Sequence, residues 1–332
     1  MNADLSIYRS FFRHSNKFWL ILKAFLLGFT SLWIASFPQL VVAFDRIDIS
    51  EPASQWVTQA VNIERLEQGF FFSKLAKSRV SYHIYKPESY ETETKRRFPV
   101  IYWLHGVGGG LKGLSKVAKY FDLAIQQNKI PPVLIVFPYG MNVSLWSDSK
   151  DGSIPMESVI LRELLPHIDA TFRTVPERKS RMVEGYSMGG YGAARFGFKY
   201  PEIFGAISMI AAGPLQQELV AADGPAQNAQ LRMNVLRTVF GNDQGYFKST
   251  SPWKLVERNA HLLRNKTILR ILVGERDQLL QANIRFSEYI DHLGISHEFR
   301  IVPGVDHNAL AVYQGIGEAN WAFYRSFFKD KL

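Results

Sequence analysis

The segment GYSMGG at residues 185–190 places a serine between two glycines, in a G-x-S-x-G pattern. Strand-like residues (SRMVE) precede it, and small residues with helical spacing (MGGYGAARFGF) follow it. In that context the pattern predicts a tight strand-to-helix turn, in which Gly185 and Gly189 prevent a clash and the serine adopts strained backbone angles. The turn presents the Ser187 hydroxyl near the amino end of a helix, where developing negative charge is favoured. Ser187 is therefore the predicted nucleophile.

A serine hydroxyl is a weak nucleophile unless a base removes its proton, and two later segments offer the partners. The residues GERD (274–277) follow the strand-like run TILRILV, and PGVDH (303–307) follows SHEFRIV. In enzymes with this turn the partners occur in the order serine, acid, histidine, which assigns Asp277 as the acid and His307 as the base. Glu275 shares the loop and is the alternative acid. Asp306 adjoins the histidine, but we expect its side chain to point elsewhere.

A glycine-rich segment, LHGVGGG at residues 104–110, follows another apolar run. Glycines allow the backbone to approach a substrate closely, and backbone N–H groups in this place complete an oxyanion hole. We expect the N–H groups of Val107 and Met188 to be the donors, and His105 to brace the loop. The segment is not a phosphate-binding loop, because it lacks the G-x-x-x-x-G-K-[ST] pattern. Without an H-E-x-x-H motif or a compact His/Asp cluster, the sequence predicts neither a metal site nor a cofactor.

Short apolar runs alternate with helical patterns through most of the chain, which predicts a mostly parallel sheet flanked by helices. Strands are expected at residues 69–75, 78–85, 98–104, 132–137, 180–184, 204–210, 267–273 and 296–302. Helices are expected at residues 114–127, 157–170, 188–199, 278–292 and 314–328. Residues 214–263 break the rhythm and are interpreted as a helical cap insertion. Trp146 and Trp253 are the candidate substrate-binding residues, although Trp253 could equally belong to the core of the cap.

The amino-terminal 43 residues have the pattern of a targeting segment. Residues 1–17 are polar and basic, and residues 18–43 are almost wholly apolar with Lys23 as the one charge. This pattern is typical of a signal peptide cleaved after Ala43, or of an uncleaved membrane anchor. Either way the rest of the chain is expected to be exported, to the periplasm or beyond. A linker is predicted at residues 44–64 and the catalytic domain at residues 65–332.

Composition narrows the function classes further. The chain has no cysteine, which excludes disulfides, thiolate catalysis and cysteine zinc sites. Its formal charge of +9 is modest, and no basic run is interleaved with aromatic residues, so a nucleic-acid partner is not expected.

The motifs WLHGVGGG, EGYSMGGYGAARFGFKYPEIFGAIS, GERD and PGVDH together resemble the putative-esterase branch of the α/β-hydrolases. That branch includes esterase D, feruloyl and acetyl-xylan esterases and the mycolyltransferases. The resemblance covers roughly residues 65–330 and implies an α/β-hydrolase fold with a Ser187–Asp277–His307 triad. It implies a serine carboxylesterase acting on carbohydrate-linked or small acyl esters. An acyltransferase that passes the acyl group to a sugar, and a non-catalytic binding module of the same fold, are the alternatives.

Overall fold

The computed structural model describes residues 56–61, 63–220 and 228–328. The predicted signal peptide or anchor at residues 18–43 lies outside these ranges. Within them, no helix is both long enough and apolar enough to cross a bilayer. The predicted linker, residues 44–64, lies partly outside these ranges. Of its described residues, Trp56 is buried against the core and its carbonyl accepts the N–H of Ser81 at 2.9 Å.

In the described part of the chain, eight strands form one sheet in the order β1-β2-β4-β3-β5-β6-β7-β8. In chain order they are Leu66–Ser73 (β1), Ser78–Tyr85 (β2), Val100–Leu104 (β3), Leu134–Pro138 (β4), Arg181–Tyr186 (β5), Ala206–Ile210 (β6), Ile268–Gly274 (β7) and Glu298–Val302 (β8). Strands β3 to β8 are parallel, and the β1–β2 hairpin joins them by antiparallel pairing of β2 with β4. The predicted mostly parallel sheet is confirmed.

Helices cover both faces of the sheet, which explains why β3 and β4 are uninterrupted apolar runs with every residue buried. Strand β6 is also buried throughout, and Ser208 is its one polar residue. The helices are Ser89–Thr92 (α1), Leu111–Gln126 (α2), Met156–Val159 (α3), Leu165–Thr171 (α4), Met188–Lys199 (α5), Ala229–Thr238 (α6), Gln244–Thr250 (α7), Pro252–Leu263 (α8), Leu280–His292 (α9), Ala309–Ile316 (α10) and Glu318–Phe328 (α11). Apolar side chains of α2, α10 and α11 form the core on one face. Those of α3, α4, α5, α8 and α9 form the larger core on the other.

A fully buried polar cluster ties the strand before the predicted nucleophile to the strand before the predicted acid. Arg270 of β7 donates to Glu184 of β5 at 3.0 Å, and their side chains are 1% and 0% exposed. The same guanidinium donates to Ser208, Asn320 and Tyr324 at 2.8, 2.9 and 2.8 Å. Tyr313 of α10 and Tyr324 of α11 donate to Glu184. The cluster therefore joins β5, β6 and β7 to the two helices that follow His307.

Two helix predictions need correction. The carboxy-terminal helix predicted at residues 314–328 is two helices, because Gly317 adopts φ +62° and breaks the pattern between α10 and α11. The helix predicted at residues 157–170 contains a π-helical turn, Ile160–Leu164, which periodicity does not reveal. Between β6 and β7, the described residues of the segment 214–263 form α6, α7 and α8.

Candidate active site

Ser187 lies on a tight turn whose backbone segments pack closely against each other. Its backbone angles are φ 57° and ψ −119°, a strained conformation for a residue with a side chain, as predicted. A Cβ on Gly185 would lie 2.2 Å from the carbonyl oxygen of Gly189, and one on Gly189 would lie 1.9 Å from that of Leu104. The Ser187 N–H donates to the carbonyl of Ile210 at 2.9 Å, which ties the turn to β6. The two glycines are thus required by contact distance.

The structure brings together the serine, histidine and aspartate singled out in the sequence. His307 Nε2 lies 2.9 Å from Ser187 Oγ, and His307 Nδ1 lies 2.7 Å from Asp277 Oδ2. The Asp277 carboxylate is fully buried, and its second oxygen accepts the N–H of Leu279 at 2.8 Å. A carboxylate so placed accepts Nδ1–H, which leaves Nε2 free to accept the proton of the serine hydroxyl.

Tyr186 supports the histidine from the residue before the serine. Its hydroxyl donates to the His307 carbonyl at 2.8 Å, and the two rings lie 4.7 Å apart between centroids. Burial raises the pKa of Tyr186, so the hydroxyl stays neutral and remains a donor. This contact is not predictable from the sequence, since nothing in the motif reveals that the ring turns toward residue 307.

The two other acids near the site have different partners. Glu275 is exposed, and its carboxylate accepts the N–H of Gly304 at 2.7 Å, so it braces the loop that carries the histidine. Asp306 pairs with Arg276 at 3.1 Å on the surface, with both side chains more than 60% exposed. Its carboxylate is thus engaged on the surface by Arg276. Asp277 is therefore the acid that contacts the imidazole.

The glycine-rich loop lies directly over the serine. A Cβ on Gly106 would lie 3.2 Å from the Cβ of Ser187, and Val107 follows it in the same loop. Met188 occupies the first position of α5, where an N–H has no acceptor within its own helix. The geometry brings the backbone of both expected donor residues to the immediate surroundings of Ser187.

His105 fixes this loop, as the sequence suggested. Its Nε2 accepts the N–H of Gly140 at 2.9 Å, and its Nδ1–H donates to the carbonyl of Gly106 at 2.6 Å. Burial lowers the pKa of His105 to about 4, so the ring is neutral near pH 7 and can make both bonds.

The prediction that Trp146 contacts substrate is wrong. The side chain is 0% exposed and is wedged between Gly140 and Gly192, where a Cβ on either glycine would lie within 2.6 Å of the indole. The indole N–H donates to the carbonyl of His105 at 3.3 Å. Two small residues leave the room that this ring fills, so Trp146 supports the loop from below.

Trp253 is half-buried at a contact between helices. Its indole N–H donates to the carbonyl of Leu215 at 3.0 Å, and its ring packs on Phe286 and Tyr289, each 4.9 Å away between centroids. These contacts favour the cap-core interpretation over substrate binding. Among the residues described, no group of three His, Asp or Glu side chains is arranged to hold a metal.

Comparison with known proteins decides the family. A family model described as "Putative esterase" matches residues 73–331, which is most of the chain. This chain belongs to the putative esterase family. Esterase Rv1288 of Mycobacterium tuberculosis is 31% identical over 241 residues, covering 66% of this chain and 50% of that protein. An endo-1,4-beta-xylanase/feruloyl esterase of Xylanibacter ruminicola is 29% identical over 170 residues, covering 48% and 23%. The chain thus spans about half or less of the length of these relatives.

Solved structures show that this putative esterase has the α/β-hydrolase fold. A ferulic acid esterase aligns with a TM-score of 0.63 and 23% identity, over 78% of this chain and 97% of that one. An S-formylglutathione hydrolase from Agrobacterium tumefaciens aligns with a TM-score of 0.61 and 20% identity, over 80% and 97%. At these identities the likeness shows the fold, and the expected α/β-hydrolase architecture is confirmed.

Proposed function

We propose that this putative esterase is an exported serine carboxylesterase that uses Ser187, His307 and Asp277 as a catalytic triad. The observation that carries the proposal is the chain of contacts from Ser187 Oγ through His307 to Asp277, at 2.9 and 2.7 Å. Membership of the family, and relatives named as esterases, support an ester as the substrate. Ser187 and His307 are both partly exposed, which allows an ester to reach them.

The geometry supports a two-step reaction through an acyl-enzyme. Ser187 Oγ attacks the ester carbonyl carbon while His307 Nε2 takes the hydroxyl proton. The bond to the alcohol oxygen then breaks, and the alcohol leaves with the proton from His307. Water attacks the acyl-serine, His307 takes a proton from that water, and the carboxylic acid is released as Ser187 recovers its hydrogen. Asp277 holds the imidazole in the correct tautomer and stabilises its charged form.

In each step a negative charge develops on the carbonyl oxygen. We assign its stabilisation to the backbone N–H groups of Val107 and Met188, each contributing on the order of 3–4 kcal/mol. His105 and Trp146 act on this charge indirectly, by holding the loop in which Val107 lies.

The substrate class we propose is a carbohydrate-linked ester of a hydroxycinnamic or short-chain acid. Two relatives suggest this class by their names, a xylanase/feruloyl esterase and an acetyl esterase from Caldicellulosiruptor saccharolyticus.

The test is turnover of p-nitrophenyl esters of increasing acyl length, and of methyl ferulate, by the full-length protein and by Ser187→Ala. The proposal expects turnover by the parent, a fall of at least a thousandfold in the variant, and unchanged folding by circular dichroism. Equal turnover by both proteins would refute the assignment of Ser187. If hydrolysis is slow and transfer of the acyl group to an added sugar is faster, the protein is an acyltransferase and the hydrolase assignment is wrong.

Export rests on residues 1–43 and is tested separately. We propose that the apolar segment 18–43 directs the chain across the cytoplasmic membrane in a bacterial host. Fractionation of cells expressing the full chain, followed by amino-terminal sequencing, should find the protein outside the cytoplasm. A new amino terminus at Phe44 identifies a signal peptide and an intact one identifies an anchor, whereas protein confined to the cytoplasm would contradict export.

A further inference from the structure

The turn between β1 and β2 exposes apolar side chains that fill no core. Phe72, near the end of β1, is 70% exposed, and Leu75, in the turn itself, is 40% exposed. Phe72 is the most exposed large apolar side chain in the described part of the chain. An exposed phenylalanine and leucine on one projecting turn favour a surface that makes contact with something else.

Cations surround these apolar side chains. Lys74 and Lys77 are exposed in the same turn, and Arg79 is exposed on β2 opposite Phe72 in the strand register. The Arg79 guanidinium also lies 3.7 Å from the ring centroid of Phe70. We call Phe72, Lys74, Leu75, Lys77 and Arg79 the hairpin tip.

The acid that approaches the hairpin tip is engaged by the backbone. Glu163, on the π-helical turn, accepts the N–H groups of Lys74 and Leu75 at 2.9 and 3.2 Å and the hydroxyl of Ser73. The Ser73 hydroxyl in turn accepts the N–H of Ala76 at 2.8 Å. These bonds hold the turn in one conformation, so its apolar and cationic side chains need little ordering on binding.

The strand register places the hairpin tip beyond the same edge of the sheet as Ser187, the edge formed by the carboxyl ends of the parallel strands. Tyr82 of β2 pairs with Pro138, the last residue of β4, so the residues before Tyr82 extend past the carboxyl end of that strand. All of β3 to β8 end on this side, and Ser187 follows β5. Three strand spacings separate β2 from β5, roughly 14 Å.

Trp56 and Thr58, the first described residues of the chain to make such contacts, are bonded to this hairpin. The Trp56 carbonyl accepts the N–H of Ser81 on β2 at 2.9 Å, and the Thr58 N–H donates to the Ser81 hydroxyl at 2.8 Å. Only residues 44–55 separate the apolar segment 18–43 from Trp56. Twelve residues span at most about 40 Å, so a membrane holding that segment lies within reach of the hairpin.

We propose that the hairpin tip docks on the surface of a bilayer that contains anionic phospholipid. Phe72 and Leu75 enter the boundary between headgroups and acyl chains, and Lys74, Lys77 and Arg79 pair with the phosphates around them. Docking turns the carboxyl ends of the parallel strands, where Ser187 lies, toward the membrane surface. The inference does not depend on the proposed esterase activity.

The absence of cysteine allows a direct test in the full-length protein. A single Leu75→Cys substitution is labelled with an environment-sensitive fluorophore, and the protein is reconstituted with vesicles of phosphatidylglycerol and phosphatidylcholine or of phosphatidylcholine alone. Leu123→Cys is the matched control, since Leu123 is 53% exposed near the end of α2 and does not belong to the hairpin tip. The expected result is a shift to shorter wavelength for the residue 75 label with anionic vesicles only, and no shift for residue 123.

A charge variant and a soluble polyanion complete the test. Lys74→Gln, Lys77→Gln and Arg79→Gln together should abolish the shift of the residue 75 label while ester turnover in solution stays unchanged, and 0.5 M salt should reduce it. Equal emission in the two kinds of vesicle, or equal shifts at residues 75 and 123, would overturn the proposal. A shift with dextran sulfate and none with vesicles would also overturn it, in favour of an anionic polymer.

Discussion

Replacing Arg270 by methionine tests the buried cluster that joins the strands of the active site. Arg270→Met keeps the length and apolar stem of the side chain but removes the charge and every N–H donor. The Arg270 side chain is 1% exposed, and its guanidinium donates to Glu184, Ser208, Asn320 and Tyr324. Because the cluster is buried, bulk water cannot replace these hydrogen bonds when the guanidinium is removed. The substitution leaves the Glu184 carboxylate buried, with hydroxyl donors but without its cation.

The magnitude follows from that isolated charge. Removing one partner of a buried ion pair typically destabilises a protein by about 3–5 kcal/mol, and the fully buried carboxylate of Glu184 places this pair in that range. Adding Glu184→Gln removes the uncompensated charge and should recover about half or more of the loss. Arg276→Met is the matched control, because the Arg276–Asp306 pair is exposed and should contribute less than about 1 kcal/mol.

The assay is urea denaturation of the four proteins at pH 7, followed by circular dichroism and by ester turnover. Because Glu184 lies three residues before Ser187, and Tyr313 lies on the helix that follows His307, Arg270→Met should also lower turnover below the denaturation midpoint. A loss under 1 kcal/mol for Arg270→Met would refute the argument, as would a double variant less stable than the single one.

Three further predictions concern the site itself. Asp277→Asn should lower kcat at pH 7 by about 10⁴-fold by favouring the wrong imidazole tautomer, whereas Glu275→Gln should change it by less than tenfold; the reverse order would reassign the acid. The free energy of unfolding should fall as pH drops from about 6.5 toward 4, because the unfolded chain binds a proton at His105 that the folded chain does not. The contribution of His105 to this fall is on the order of 3 kcal/mol and should be absent in His105→Gln. Parallel urea midpoints for the two proteins across this pH range would contradict the prediction. Gly189→Ala should abolish turnover and destabilise the fold, because its Cβ would lie 1.9 Å from the Leu104 carbonyl oxygen. The control Gly113→Ala, in open space on α2, should be neutral or stabilising in thermal melts. A fully active Gly189→Ala would contradict the packing argument.

Local patterns were enough to predict the sheet and the three residues that meet at its edge. Apolar runs buried on both faces predict parallel strands, and a chain that alternates strands with helices must gather the strand ends at one edge. Ser187, Asp277 and His307 come one, three and five residues after the ends of β5, β7 and β8, so their proximity follows from topology. The strained serine was predictable for the same reason, since glycines on both sides of it imply a tight turn.

Contacts between distant segments were not predictable in this way. Trp146 has the exposed-looking sequence SLWSD, yet it fills the space left by two glycines that are 6 and 46 residues away. Arg270 interrupts an apolar strand, and its partner Glu184 lies 86 residues earlier. Neither charged residue alone therefore predicts a buried ion pair. The anchor or signal segment lies outside the described residues and stays a prediction.

The most direct measurement is the site of covalent labelling by a fluorophosphonate probe. The full-length protein is treated with the probe, and the modified peptide is identified by mass spectrometry, with Ser187→Ala and His307→Gln alongside. The proposed mechanism predicts one adduct per chain, on Ser187, with no labelling of the alanine variant and labelling at least a hundredfold slower in His307→Gln. An unlabelled parent protein, or an adduct on a different serine, would contradict the triad assignment.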